Sequence, residues 1–598
     1  MSGGQQPGDG QNLLIGAGAA GLAVFGVLWS GGVLSALITG HRVPHGHPIG
    51  AFTAFTHLGD PSLAWQAPVG GPVIYWGVTI LLFVMLTTLV MLGWLAWNGI
   101  TARQKNDPTK IAGLASRREV SVAAGRKSLL RKGRTLRPGL VDPEPDQVGY
   151  QLGHSRGVGV WSSVEDSMIL LGPPRSGKGL HIVIPMILDA PGAVITTSTR
   201  PDNLTITLTA RTKLGPVAVF DPQGLAAGVP SATRWSPIRG CETPQIAMIR
   251  ARALCADPGE GVENGSFWAQ QSYTAVRCLL HAAALDNRPP IELFRWSLSP
   301  IAAQDAADIL QTHPDAAPAW ATALSSIIDA DPRQRDSTWA MVSNVFSALA
   351  DPRVLDAVSP ADGEDFDPTA FLRQRGTLYL LGTSSGASAT AGLIGAFIED
   401  VAEAARKLAA ASPGARLDPP LAFILDEGAN YPFPSLPALM SEGGGTGITT
   451  LVVLQSLAQA RSKWGQQDAE AIWDSAITKI ILGGSGNAGD LRDLSLLIGQ
   501  REEKRRNESW GTDGRKSISI TTNDTPILDP GQLRTLTFGH GVLLLRSAPP
   551  IMLTLKPWIA RDDVKNLQTE RACVEQTIRN AATTPAALTK TITVPGDA

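Results

Sequence analysis

Cysteine is scarce in this chain, and neither cysteine nor histidine forms a metal-binding pattern. Four cysteines stand at 241, 255, 278 and 573 of 598 residues, with no CxxC. Structural thiols in a reduced compartment are the plain reading. The nine histidines form no HExxH. His41, His45 and His47 cluster in a segment that reads as a solvated loop rather than a metal site. An excess of either charge is also missing. With 51 basic and 53 acidic residues the net charge is −2, which excludes a polycation. No long-period repeat is visible. The chain is nevertheless long enough for several domains and a large core.

Two stretches lack charge altogether, residues 13–38 and residues 73–97. Each is long enough to cross a hydrocarbon core of about 30 Å as a helix. Trp76, Trp94 and Trp97 lie near the ends of the second, where indole rings favour the interface. The first twelve residues hold no Lys or Arg, and the apolar run that follows exceeds a signal-peptide core, so a retained helix is expected. Residues 101–140 carry eleven Lys/Arg against Asp107 and Glu119, whereas residues 39–72 carry only Arg42 and Asp60. The positive-inside rule places the long C-terminal part, and with two spans the N-terminus as well, in the cytoplasm. Gly16-Ala17-Gly18-Ala19-Ala20-Gly21 spells GxGxxG, but the next acidic residue after Asp9 is Asp60 and no βαβ unit follows. A dinucleotide site needs both, so these small residues read as helix-packing positions.

The stretch richest in chemistry is Gly172-Pro173-Pro174-Arg175-Ser176-Gly177-Lys178-Gly179. It follows an apolar run at 167–171 and opens onto a helical stretch at 180–188. Strand, glycine-rich loop, lysine and helix form a phosphate cradle, in which backbone N–H groups and the helix N-terminus face anionic oxygens. Lys178 would reach the β- and γ-phosphates. The last place of the motif should hold Ser or Thr for Mg²⁺, and here it is Gly179. The expected nucleotide-binding residues are Gly172, Pro173, Pro174, Arg175, Ser176, Gly177, Lys178, Gly179 and Leu180. An ordinary strand-to-helix turn is the bland alternative.

A second motif bears on that choice. The apolar run 421–425 ends in Asp426-Glu427, and carboxylates at the C-terminal end of a buried parallel strand sit where ligands bind in an open sheet. Asp426 would hold Mg²⁺ and Glu427 would polarise the attacking water. A further strand at 449–454 ends in Gln455, placed to sense the γ-phosphate or the water, or simply to close the strand. Strands are expected at 168–171, 193–197, 217–220, 377–381, 421–425, 449–454, 479–482 and 542–545. Alternation with helices implies a mostly parallel sheet covered on both faces. Between 243 and 350 the strand pattern stops, and helical stretches at 268–285, 301–311 and 337–349 read as an insertion. Residues 501–524 are polar and charged, as in an exposed loop or hairpin, and a weak helix at 566–580 precedes a disordered tail.

Two N-terminal spans, a phosphate-loop domain and a helical insertion together resemble the TraG/TraD family of type IV secretion coupling proteins. Local strings carry the likeness: GPPRSGKGLHIVIP at 172–185, VITTSTRPDNL at 194–204, Phe220-Asp221-Pro222, Arg234-Trp235-Ser236-Pro237, residues 421–427 and VVLQS at 452–456. Gly at the place of Gly179 is common in that family. The resemblance implies an α/β P-loop (RecA-like) nucleotide-binding domain with an inserted all-α domain, preceded by two transmembrane helices. The expected segments are a cytoplasmic N-terminus 1–12, transmembrane helices 13–38 and 73–97 around an extracytoplasmic loop 39–72, and a basic juxtamembrane linker 98–150. A P-loop ATPase domain at 151–242 and 351–560 follows, with the all-helical insertion 243–350 and a C-terminal helix and tail 561–598.

The family further implies a homo-hexamer on the bacterial inner membrane, using ATP and Mg²⁺. Its hydrolysis drives single-stranded DNA with its relaxase, or protein cargo, into a secretion channel. Lys178, Glu427 and Gln455 are the catalytic candidates and Asp426 the metal ligand. Such rings usually take an arginine from the neighbouring subunit. The corresponding stretch here, 443–447, has none, leaving Arg461, Arg492 or Arg501 as alternatives. Rival readings are an FtsK-like or other secretion motor, and a non-hydrolysing membrane receptor that recruits the relaxosome.

Overall fold

The computed structural model describes residues 9–44, 50–105, 108–256, 265–382, 387–510 and 516–583. His45, His47 and the tail from 584 lie outside them. The chain divides into two compact units, Met1–Pro108 and Thr109–Ala598.

In the first unit two long helices, Asp9–Ile38 and Pro72–Lys105, flank three short ones. Both are long and apolar enough to cross a membrane. The second leaves Val73, Ile80, Leu81, Leu89, Val90 and Met91 exposed. Trp65 and Tyr75 are buried between the helices, and the indole donates to the phenol oxygen at 3.3 Å. The glycines that permit this approach are Gly31 and Gly32, where a Cβ would lie 2.3 Å from Thr79 and from Trp65 respectively. Gly21, of the GxGxxG string, faces open space. The string lies inside one continuous helix.

The second unit is built on thirteen strands: β1 (Gly149–Ser155), β2 (Val158–Ser163), β3 (Met168–Leu171), β4 (Val194–Ser198), β5 (Val217–Phe220), β6 (Thr377–Leu381), β7 (Leu421–Leu425), β8 (Ile448–Leu454), β9 (Thr478–Leu482), β10 (Gln500–Trp510), β11 (Lys516–Pro526), β12 (His540–Leu545) and β13 (Ile551–Leu555). Eleven form one sheet in the order β2-β1-β13-β12-β9-β3-β8-β7-β4-β6-β5. From β9 to β5 neighbouring strands are parallel. Four antiparallel strands extend the β9 edge. The central strands β3, β4, β6, β7 and β8 are buried at every position, which is why β3 and β7 read as unbroken apolar runs and the others as apolar runs broken only by Thr and Ser. All eight expected strands are present. The sequence missed β1, β2 and β13, and β10 with β11 forms the hairpin that the polar stretch allowed.

Helices cover both faces. Between β5 and β6 the chain is helical from Pro244–Leu254 through Pro368–Arg373, extending past the expected limit of 350. Five of these helices, at Pro244, Pro290, Pro332, Pro352 and Pro368, open on proline, whose missing N–H costs nothing there. Asp331, Asp351 and Asp367 cap three of them. Cys241 and Cys278 are buried in this region, and burial pushes both thiols up to about 12, as expected of structural thiols. The stretch expected as a basic linker is folded from residue 109 onward. Helices Arg117–Ala124 and Arg126–Arg131 bury Val120, Ala124 and Leu129 in a shared core with β1, β12 and β13. The Arg and Lys side chains of these two helices are exposed, so charge alone hid the apolar stripe, while Arg137 is buried against Asp418. The C-terminal helix Val564–Thr583 packs on helix Asp202–Thr212, and its Leu567 joins Ile184, Ile206 and Trp558.

Candidate active site

The sheet order sets three strand tips side by side. β3 lies between β9 and β8, and β8 lies between β3 and β7. Leu171 faces Leu454 across β3 and β8, and Gly172 N–H donates to Leu454 O at 3.0 Å. Leu425 of β7 pairs with Val452 of β8, and Thr197 of β4 pairs with Leu425. The glycine-rich loop, Gln455, Asp426-Glu427 and Thr199 therefore leave the same edge of the sheet from consecutive strands. A parallel sheet puts its ligands at that edge.

The loop has the conformation of a cradle. Gly177 has φ +89° and Arg175 φ +63°, so the backbone turns through the left-handed region twice. A Cβ at Gly172 would lie 2.6 Å from Ser176 Oγ, and one at Gly177 would lie 2.6 Å from His181 Nδ1. Ser176 Oγ is buried with no protein hydrogen-bond partner among the described residues, which suits an incoming anionic oxygen. His181 donates to Gly177 O at 3.0 Å and keeps the loop closed onto the helix. Its pKa is lowered, first by burial. Residues Gly179–Val183 form a widened π turn before helix Ile184–Asp189, a local feature frequent at functional sites.

Lys178 Nζ donates to Gly172 O at 2.9 Å, folded back onto its own loop. Burial lowers its pKa, and the carboxylates of Asp426 and Glu427 oppose that shift. Burial pushes the Asp426 carboxyl up to about 6, with Lys178 the strongest charge acting in the opposite sense. The two motifs share one electrostatic site. Thr197 Oγ1 donates to Asp426 O at 2.8 Å, and Asn203 Nδ2 lies 3.4 Å from Asp426 Oδ2. Glu427 has φ +52°. Its Oε2 accepts from Thr199 Oγ1 at 2.7 Å and from Asn430 Nδ2 at 3.1 Å, while no described residue donates to Oε1.

Thr199, Asn203 and Asn430 were not singled out by the sequence as site residues. Their signal lies in strand adjacency, which residue spacing does not show. Gln455 stands where expected, at the β8 tip. Its backbone N–H donates to Gln459 Oε1 at 3.2 Å, and its side-chain amide makes no hydrogen bond among the described residues. Of the three arginines, Arg461 pairs with buried Asp490 at 3.4 Å and Arg501 donates to Ala112 O at 3.3 Å. Arg492 is exposed on helix Ala488–Ile498.

Among the described residues no group of three His, Cys, Asp or Glu side chains could hold a metal ion. A single carboxylate beside a phosphate cradle nevertheless fits Mg²⁺, which keeps most of its waters and takes the rest of its shell from phosphate oxygens.

Comparison with known proteins agrees with this architecture. A family model described as the TraM recognition site of TraD and TraG matches residues 420–538, a segment that includes β7, Asp426-Glu427, β8 and β9. Solved structures of the bacterial conjugative coupling protein TrwB share the fold. The unbound monoclinic form of TrwBdeltaN70 is 16% identical over 68% of this chain and 88% of that one, with a TM-score of 0.51. TrwB in complex with ADP and Mg²⁺ is 16% identical over 68% and 89% of the two chains, with the same TM-score of 0.51. TrwB with the non-hydrolysable ATP analogue ADPNP is 17% identical over 66% and 86%, with a TM-score of 0.50. No curated protein matches in sequence. Residues 420–538 thus match the TraD and TraG recognition-site model, and the P-loop sheet with its inserted helices has the fold of the TrwB structures.

Proposed function

We propose that this chain is a membrane-anchored ATPase that moves DNA with its relaxase, or protein cargo, into a type IV secretion channel. One observation carries the reading: the Lys178 loop and the Asp426-Glu427 pair leave the same edge of the sheet on either side of the β8 tip, and the charges of Lys178 and Asp426 act on each other there.

In this reading Lys178 leaves Gly172 O for a β- or γ-phosphate oxygen, and the backbone N–H groups of residues 175–179 take the others. Asp426, steadied by Thr197 and Asn203, would hold Mg²⁺. Bound there, the ion would neutralise charge that builds on the phosphates. Glu427 Oε1 accepts the proton of the attacking water as its oxygen bonds to the γ-phosphorus, and the bond from that phosphorus to the β–γ bridging oxygen breaks to release ADP and phosphate. Gln455 reports on the γ-phosphate from the neighbouring tip. The two apolar helices anchor the chain in the inner membrane, six copies form the ring, and the segment 420–538 meets the relaxosome through a TraM-like component. Single-stranded DNA is expected to bind through its phosphates, with strong salt dependence.

The test is ATP turnover by the full chain, titrated with single-stranded DNA. Wild type should hydrolyse ATP faster with DNA, and Lys178→Ala and Glu427→Gln should each abolish turnover. A wild-type chain with no turnover at any DNA concentration would favour the non-hydrolysing receptor.

A further inference from the structure

On the other side of the phosphate loop, away from the acidic pair, the structure presents an aromatic ring. β9 ends at Leu482 and β12 begins at His540, and Gly541 pairs with Leu482. The segment between helix Pro530–Arg534 and β12 is pinned to its surroundings. Gly484 N–H donates to Arg534 O at 2.9 Å, Leu555 N–H donates to Gly539 O at 2.8 Å, and His540 N–H donates to Thr537 O at 2.9 Å to close the turn. Gly539 supplies the required φ of +83°. Gly483 lies so close to Leu536 that a Cβ there would be 2.6 Å from Leu536 O.

This fixed turn holds Phe538 outward, 61% exposed. The ring meets His181 edge-on at a centroid distance of 5.2 Å. Its Cε2 would be 3.0 Å from a Cβ on Gly177. An exposed phenyl ring thus rests against the phosphate loop itself. Beside it, Gly486 faces open space and Gly484 faces only Pro173.

We propose that Phe538 is the platform on which the base of the bound nucleotide stacks. This rests on the ATP reading above. If the γ-phosphate points to Asp426, Glu427 and Gln455 on the β8–β7 side, the α-phosphate, ribose and base leave toward the β9–β12 side. The side chain waiting there is a rigidly presented aromatic face. Stacking on an aromatic ring tolerates any base, so adenine and guanine nucleotides are served alike. The turn is already fixed before binding, so little ordering is needed.

Isothermal titration of the full chain with ATP, ADP, GTP and inorganic tripolyphosphate tests this. Phe538→Ala should raise Kd about tenfold for the three nucleotides and leave tripolyphosphate unchanged. Phe538→Trp should restore wild-type affinity. Equal ATP affinity in wild type and Phe538→Ala would overturn the proposal, as would parallel weakening of ATP and tripolyphosphate. So would unchanged binding with an altered oligomer mass, which would make the ring a subunit contact. A wild-type chain that binds neither ATP nor tripolyphosphate would end the nucleotide reading along with this one.

Discussion

Thr199→Val tests how the site positions its general base. Thr199 Oγ1 and Asn430 Nδ2 converge on one oxygen of Glu427, at 2.7 and 3.1 Å. With Oε2 held by two donors, Oε1 has no donor among the described residues. Valine keeps the shape of threonine and removes only the hydroxyl donor. A hydrogen bond to a charged group contributes about 1.5–3 kcal/mol. Asn430 remains on the same oxygen, so the lower end applies, and roughly 1.5–2 kcal/mol in the barrier is a fall in kcat of about 10- to 30-fold. Thr199 touches the base and not the phosphate cradle, so KM for ATP should stay within twofold. Steady-state turnover with and without DNA is the assay, with Thr199→Ser as the rescuing variant. Adding Asn430→Ala should cost more than either change alone, because it leaves Oε2 unheld. A Thr199→Val enzyme with unchanged kcat, or one that loses ATP affinity instead, would refute the positioning role.

Two more expectations follow from the same edge of the sheet. Burial pushes the Asp426 carboxyl up to about 6 from the 3.8 of a free aspartate. Between those values the folded chain holds more protons than the unfolded one, so its contribution to stability is full below about pH 4 and is lost as pH rises through about 6. The ligand-free chain should lose roughly 3 kcal/mol of stability across that window, and Asp426→Asn should flatten this dependence in a thermal-melt series. Below about pH 6, half-saturation by Mg²⁺ should rise about tenfold per pH unit, read by nucleotide binding with and without the ion. At Gly179 a Cβ would meet nothing nearer than Ile184 Cδ1 at 3.9 Å, so Gly179→Ser should fold normally and gain a few tenths of a kcal/mol in helix propensity. Its hydroxyl should lower the Mg²⁺ needed for half-maximal turnover several-fold, and an unchanged requirement would mean that the site draws no ligand from that position.

Much of this architecture was legible because buried parallel strands leave one kind of trace. Met168–Leu171 and Leu421–Leu425 are apolar throughout and end in chemistry, so both strand and function could be read together. β1 and β2 carry Gln151, His154, Trp161 and several glycines and serines on a partly covered edge, and left no such run. β13 follows Pro549-Pro550 and hid as a loop. Lys178, Asp426 and Glu427 were found because each sits in a local string whose residue types fit phosphate or metal. Thr199, Asn203 and Asn430 were not, because a threonine or an asparagine after a strand acquires meaning only once β4 is known to lie beside β7. Phe538 was more remote still, since nothing in residues 535–539 announces that they fold against Gly177.

The choice between motor and receptor turns on what the arrangement of the site costs the fold. Lys178 is buried enough to lose part of its basicity, and Asp426 enough to lose part of its acidity. Ser176 Oγ is buried without a partner. Glu427 occupies the left-handed region, a strain of about 1–2 kcal/mol for a residue with a Cβ. A fold used only to recruit other proteins would gain stability by losing each of these features. A triphosphate would engage three of them together. It would give Lys178 an anion and Ser176 Oγ an acceptor, and it would bring Mg²⁺ to Asp426. The fourth, Glu427, already has one carboxylate oxygen bound by the Thr199 hydroxyl and the Asn430 amide. Binding alone would account for the first three. With one oxygen of Glu427 tied and no described residue donating to the other, a base is left for the water that the proposed hydrolysis requires, and that is the physical ground for testing the motor reading first.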